Sequence, residues 1–327
     1  MLRSDERLRI SARLVDTRNS STLWSDQFDA QRADLMQTQD EIVVRLANAL
    51  DAELVLADSR RSLLPGAASL DAEDLAMQCE AAWFSQSAEI DAPSLQPCEQ
   101  ALRMDPRNVR ALVRLATYHA NRVSRVQSPD SRADLARARE LVERALAVAP
   151  DDYAAHCAKA VVLEGERRIR EAIAAAERCL ALNPSHAAAY RVLAIDHFFL
   201  AQPEKTLEFV DRGMRVSPRA PNMRAFLTFK GWAYFMMQRD EDALTWLRRA
   251  AAAAPENPPI WAAMTSVLAL TGHDVEARAA LARYLALNGT RTRTIAQWDH
   301  MPDDNAAFKR FDARFKDGLR KAGMPER

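Results

Sequence analysis

An α-solenoid of stacked helical hairpins, preceded by a small, incomplete α/β segment, is the fold this sequence predicts, and three observations predict it. A proline closes an alanine-rich stretch in Ala-Val-Ala-Pro150, Ala-Leu-Asn-Pro184, Arg-Val-Ser-Pro218 and Ala-Ala-Ala-Pro255, with spacings of 34, 34 and 37 residues. A further step of 34 reaches Gly289 in Ala-Leu-Asn-Gly, and Pro106 closes an earlier copy. Small residues keep the same phase, and only eight glycines interrupt the chain, which favours helix throughout. A fixed period over so long a stretch is the mark of units that pack only on their neighbours.

Each unit has its own grammar. Twelve residues before the stop lie Ala138, Ala172, Thr206, Ala243 and Ala277, and five before it lie Ala145, Cys179, Gly213, Ala250 and Tyr284. Small side chains recur where two helices approach closely, because a longer one overpacks the contact at about 1–3 kcal/mol. Twenty-four before the stop come Ala160, Ala194, Gly231 and Thr265, followed three later by Leu163, His197, Tyr234 and Leu268. This pattern resembles the tetratricopeptide repeat (TPR), a 34-residue helical hairpin. The resemblance is carried by Tyr190-x2-Leu193-Ala194, by Gly231-x2-Tyr234 with Ala243-x3-Leu247, and by Trp261-x2-Met264-Thr265 with Ala277-x3-Leu281. His156 and Leu227 stand where the family has a leading aromatic, and His197 where it has tyrosine. The resemblance implies a TPR-type right-handed α-solenoid of about six repeats over residues 73–289.

Residues 7–16 alternate polar and apolar, with Leu8, Ile10, Ala12 and Leu14 on one face, which predicts a half-buried strand. Thr22 to Phe28 supplies a partner strand across a polar turn, and Asp34 opens an amphipathic helix to about Leu56 with Val43 in its apolar stripe. A hairpin and one helix cannot form a stable domain alone. The segment 1–58 resembles the closing half of an α/β domain related to the N-terminal domain of TolB, as found in bacterial regulators ahead of a TPR array. That resemblance implies further elements upstream, commonly with a class III adenylate/guanylate cyclase domain or a winged-helix DNA-binding domain. Residues 59–72 read as a linker. The copy ending at Pro150 carries ten extra residues near Asn121–Ser131, a loop or contact arm with Arg122 and Arg125, and Ser128 before Pro129 reads as its helix N-cap. Residues 290–327 read as a C-terminal capping region: Asp303 or Asp304 caps a helix whose stripe of Phe308, Phe311, Phe315 and Leu319 docks on the last repeat. Its ending, Gly318 to Glu326, resembles the C-termini of cyclase-linked repeat proteins and implies a natural end.

Forty-five basic residues balance forty-five acidic ones, so overall charge gives no support to nucleic-acid binding. No run of 18 apolar residues marks a membrane span. Cys79, Cys98, Cys157 and Cys179 lack C-x2-C spacing and read as reduced core thiols in a cytoplasmic setting. The six histidines form no H-E-x2-H pair, and no nucleophile elbow or phosphate loop occurs, so no catalytic residue, cofactor or metal is expected. His156 and His197 read as core histidines. What remains is a surface. By resemblance, the first helix of each hairpin lines a concave groove, there formed by Asn121, Phe198, Phe199, Trp232, Phe235 and Met236, apolar and aromatic in the middle, and joined one turn earlier by Arg110, Arg191 and Thr228, with the arginines toward one end; the alternative is that the aromatics fill core between repeats. Such a lining suits a protein or peptide partner with apolar anchors. The expected function is a non-catalytic scaffold, the regulatory C-terminal portion of a bacterial signalling protein. Two alternatives stand beside it: a fragment of a cyclase or transcription regulator whose active domain lies upstream, and a module that self-associates through the hairpin at residues 7–28.

Overall fold

The computed structural model describes residues 7–15, 17, 20, 22–31, 43, 70–85, 92–124, 128–217, 223–288, 292–298 and 305–327. Strands β1 (Arg7–Val15) and β2 (Thr22–Gln31) pair antiparallel, Ile10 opposite Phe28 and Leu14 opposite Trp24, with one irregularity at Leu14/Val15. The helix expected from Asp34 falls outside the described residues apart from Val43, which is helical and exposed. Thirteen α-helices follow among the described residues.

These elements form two compact units. The first contains the hairpin and helices α1 (Ala72–Ser85), α2 (Gln96–Met104), α3 (Val109–Ser124), α4 (Ser131–Val148) and α5 (Tyr153–Gly165), together with most of α6 (Ile169–Leu182). The second is built from α7 (Ala187–Phe199, from Tyr190 on), α8 (Pro203–Val216, as far as Met214), α9 (Met223–Met236), α10 (Asp240–Ala253), α11 (Pro258–Leu270), α12 (Asp274–Asn288) and α13 (Ala306–Lys321). In both, successive helices pack as hairpins, α3 with α4, α9 with α10 and α11 with α12.

The small residues sit where the helices cross. Ala138, Ala172, Thr206, Ala243 and Ala277 have no exposed surface, and neither do Ala145, Cys179 and Ala250. At Gly231 an added Cβ would lie 2.7 Å from Leu247 and 3.3 Å from the carbonyl of Ala243, so this crossing admits no side chain.

The turn inside each hairpin also repeats. Arg167, Ala201, Gln238 and Gly272 adopt left-handed backbone, at φ of 60°, 56°, 59° and 82°. The next amide then reaches back to the carbonyl five residues earlier: Gln202 to His197, Arg239 to Tyr234, His273 to Leu268. This is the Schellman closure of a helix, for which glycine is the low-cost residue. Only one of the four turns has it.

Caps arise from side chains one or two places away from those expected. Asp130, not Ser128, caps α4 by accepting from the amide of Ala133, because Ser128 donates its hydroxyl to Asp134 instead. Asp134 also takes His119 Nδ1 at 2.6 Å and Arg122, which ties the start of α4 to the last turns of α3. Asn305 caps α13 through the amides of Ala307 and Phe308; Asp303 and Asp304 lie outside the described residues.

The expectation of four reduced thiols is corrected: Cys79 in α1 and Cys98 in α2 are disulfide-bonded, with Cα atoms 5.5 Å apart. A short 3-10 turn at Ala92–Leu95 leads into α2, which packs against α1 and sets the two cysteines side by side. With this the redox argument for a cytoplasmic setting falls away. No helix among the described residues is long and apolar enough to cross a membrane.

Within the first unit the strongest polar tie is Glu80 of α1, buried and gripped by Arg110 and Arg114 of α3. Burial pushes the Glu80 carboxyl up, but the two guanidinium groups outweigh it and hold its pKa below the ordinary 4.5. A depressed carboxylate adds stability above its unfolded pKa and loses it as pH falls through the folded value. Glu80→Gln should therefore cost roughly 3 kcal/mol in urea unfolding at pH 7, since it leaves buried cation without its partner. The variant should also lose less stability than the wild type when the same measurement is made below pH 4.5. Gln238→Gly should go the other way, gaining about 1 kcal/mol in thermal unfolding by relieving left-handed strain at an exposed turn.

Candidate functional site

The nine candidate groove residues divide between the two units: Arg110 and Asn121 belong to the first, the other seven to the second. Arg110 commits its guanidinium to Glu73 and Glu80. Asn121 is half-buried near the end of α3. Thr228 is buried and donates its hydroxyl to the carbonyl of Arg224 one turn back in its own helix. Arg191 is half-buried on α7.

The aromatic members of the second unit are brought together, and the C-terminal helix α13 lies on them. Phe198 of α7 meets Phe308 and Phe311 edge-on at 5.7 and 5.3 Å between ring centres. Trp232 of α9 packs on Phe311 and Phe315 at 5.6 and 5.1 Å, and Phe235 on Phe311 at 5.6 Å. Phe199 reaches Phe308 at 5.9 Å, while Met236 packs at the margin of the same cluster. The helix expected to cap only the final repeat thus spans from α7 to α11. Its stripe at spacings of three and four puts all its phenylalanines on one face, which is why a single helix can cover three others.

Polar contacts fix its register. Asn305 donates its side-chain amide to the carbonyl of Leu200 at 3.0 Å, the free end of α7. Arg314 bonds Asp240 at 2.6 Å, donates to the carbonyl of Phe235 at 3.3 Å, and lies 4.5 Å over the Phe235 ring. Ser266 of α11 donates its hydroxyl to the carbonyl of Phe315 at 2.8 Å. Beside it, any Cβ on Gly318 would overlap Ser266, side chain and backbone alike. Past α13 the chain returns: the amides of Ile295 and Ala296 bond the carbonyls of Pro325 and Glu326.

The histidines divide by role. His197 is buried, bonds Gln202 at 2.8 Å and stacks on Phe209. His156 is only half-buried, its Nε2 2.9 Å from the carbonyl of Pro150; Trp261 makes the equivalent contact, donating to Pro255 at 2.8 Å. Each engages a carbonyl in the turn that precedes its own helix. His186 lies within 4.8 Å of the thiols of Cys157 and Cys179, a meeting the sequence spacing did not suggest.

The family model described as tetratricopeptide repeat matches residues 209–258. A curated protein of Rhizobium meliloti (strain 1021), named as an adenylate cyclase, is 25% identical over 170 residues, which are 52% of this chain and 29% of that protein. The chain therefore spans under a third of that relative. The crystal structure of the APC/C hetero-tetramer Cut9–Hcn1 is similar with a TM-score of 0.59 at 12% identity, covering 83% of this chain and 48% of that one. The pilus biogenesis factor PilW is similar with a TM-score of 0.48 at 17% identity, covering 64% of this chain and 89% of that one. The fold class is thus mainly α, a solenoid of TPR type with a small strand pair ahead of it.

Gly318→Ala tests how tightly α13 is seated. It should lower the stability of the second unit by about 1–3 kcal/mol through overpacking. Faster amide exchange across 306–321 than in α9 or α10 would be the local sign.

Proposed function

We propose that the chain is a non-catalytic scaffold whose second unit receives an amphipathic helix with aromatic anchors, and that α13 is the occupant supplied in cis. One observation carries this reading: the candidate groove residues Phe198, Trp232 and Phe235 are the ones that α13 covers with Phe308, Phe311 and Phe315. A TPR-type array with an apolar aromatic face commonly uses it to hold a protein segment, and helix-in-groove binding reads anchors at these spacings. A partner would be a helix presenting large apolar residues at i, i+3 and i+7 with a cation near Asp240, in the pattern of Phe308, Phe311, Arg314 and Phe315.

The finer reading places this scaffold in the regulatory part of a bacterial signalling protein. The match to the cyclase-named relative supports it, covering 170 residues without speaking for the rest of that protein. On this reading residues 1–58 are the closing piece of a TolB-like module, and the cyclase or DNA-binding function belongs to an upstream domain. Balanced charge supports a protein partner over nucleic acid.

The test uses a labelled peptide of residues 303–324 and two full-length proteins, wild type and Phe311→Ala/Arg314→Ala, each confirmed folded by circular dichroism. The double variant should bind the peptide at least about tenfold more tightly by fluorescence anisotropy, because its own helix no longer competes. Equal affinity for both proteins would remove the reading.

A further inference from the structure

Two buried thiols and an imidazole converge in the first unit, outside the aromatic face. Cys157 is on α5, Cys179 on α6, and His186 stands in the turn after Pro184; one donor atom from each lies within 4.8 Å of the others. Both cysteines are buried, and their thiols lie within 4.8 Å of one another. His186 is half-buried and its ring meets Tyr153 edge-on at 5.2 Å, so the cluster has one side toward solvent.

We propose that Cys157, Cys179 and His186 form a binding site for a borderline-to-soft divalent cation of the zinc class. Metal–sulfur bonds near 2.3 Å and metal–nitrogen bonds near 2.1 Å set the donors about 3.6–3.8 Å apart around a tetrahedral ion. The observed spread is within side-chain rotation of that. The donor set selects the ion: thiolate and imidazole suit zinc, cobalt and cadmium, whereas magnesium and calcium take oxygen. Charge points the same way. Two thiolates offset a dication, so the occupied site is neutral and fits a buried setting that penalises a lone charge. On binding, each thiol gives up its proton to solvent, His186 binds as neutral imidazole, and water fills the fourth position.

Packing alone does not call for these residue types. The positions equivalent to Cys179 hold Ala145, Gly213, Ala250 and Tyr284, and the two alanines fill their crossings fully buried. Those equivalent to Cys157 hold Arg191, Thr228 and Ala262, and those equivalent to His186 include Asp152 and Asn257. Only this repeat carries donors at all three places, and they are the three that meet. Metal and protons compete for the same two sulfurs, so the site should load more tightly as pH rises.

Cobalt(II) is the probe, added to the full chain with its thiols kept reduced by a phosphine. A thiolate-to-cobalt charge-transfer band should appear, saturate at one cobalt per chain, and vanish when zinc is added. The band should be absent in Cys157→Ala and Cys179→Ala, weakened in His186→Ala, and intact in Cys79→Ala/Cys98→Ala. The alanine variants carry what other repeats carry, so they should fold; proton release from wild type in weak buffer, two per cobalt, gives a readout that needs no variant. No band, a band that survives Cys179→Ala, a band lost in Cys79→Ala/Cys98→Ala, or binding without proton release would each overturn the site.

Discussion

The closeness of helix pairs at their crossings is the constraint on which the rest depends. Where Gly231 faces Leu247 and the Ala243 carbonyl, and where Gly213 meets Phe226, there is no room for even a methyl group. Residues with almost nothing beyond the backbone therefore occupy the faces where paired helices meet. The large side chains of the first helices are displaced to the other side, and on α7 and α9 that means Phe198, Trp232 and Phe235. A packing rule inside each hairpin thus creates an apolar face outside it. An apolar face of that size must be covered in water.

Its cover is α13, and the nature of the contact explains why so short a helix suffices. Four aromatic rings from α7 and α9 and three from α13 make mostly edge-to-face contacts between about 5 and 6 Å, each worth about 0.5–1.5 kcal/mol beyond the area it buries. Apolar contact alone would allow the helix to slide by a turn. Arg314 prevents that, because its fork matches Asp240 and the Phe235 carbonyl at one register only, and Gly318 against Ser266 prevents it again from the far end. Position is set by polar groups and affinity by rings, the usual division of labour where specificity matters.

Much of this was legible in the chain itself. The 34-residue spacing, the small residues at the helix crossings and the three-and-four spacing of the α13 phenylalanines are local or periodic signals, and the helices and their buried crossings follow them. What was hidden is non-local. Nothing near Phe311 says that it will lie on Phe198 instead of on the last repeat, since Asn305 and its Leu200 partner are 105 positions apart. Cys79 and Cys98, 19 apart, meet because α2 packs against α1. Caps were missed by a place or two because Ser128 and Asp130 are both competent, and the choice is made by Asp134, which captures the serine. The three donors around Cys179 escaped a motif search for the same reason: they come from two helices and a turn, at spacings set by the hairpin and not by a metal loop.

A groove filled by its own chain changes what binding means. On the scaffold reading, a tethered helix faces its site at an effective concentration in the millimolar range, so a free segment with the same contacts, present at micromolar levels, would hold only a small minority of molecules. An outside helix must then either make contacts that α13 lacks or arrive where α13 has been loosened. The structure suggests where the hold is weakest. Arg314 and Asp240 are partly exposed, with about a quarter and a fifth of their side chains open to water, whereas the phenylalanines are sealed. Solvent already competes for that ion pair, and exposed pairs contribute little to affinity. A partner carrying its own cation could take Asp240 first and leave the rings to exchange afterwards. Selectivity would then lie in the polar edge of the groove, and the aromatic centre would set only how long either helix stays.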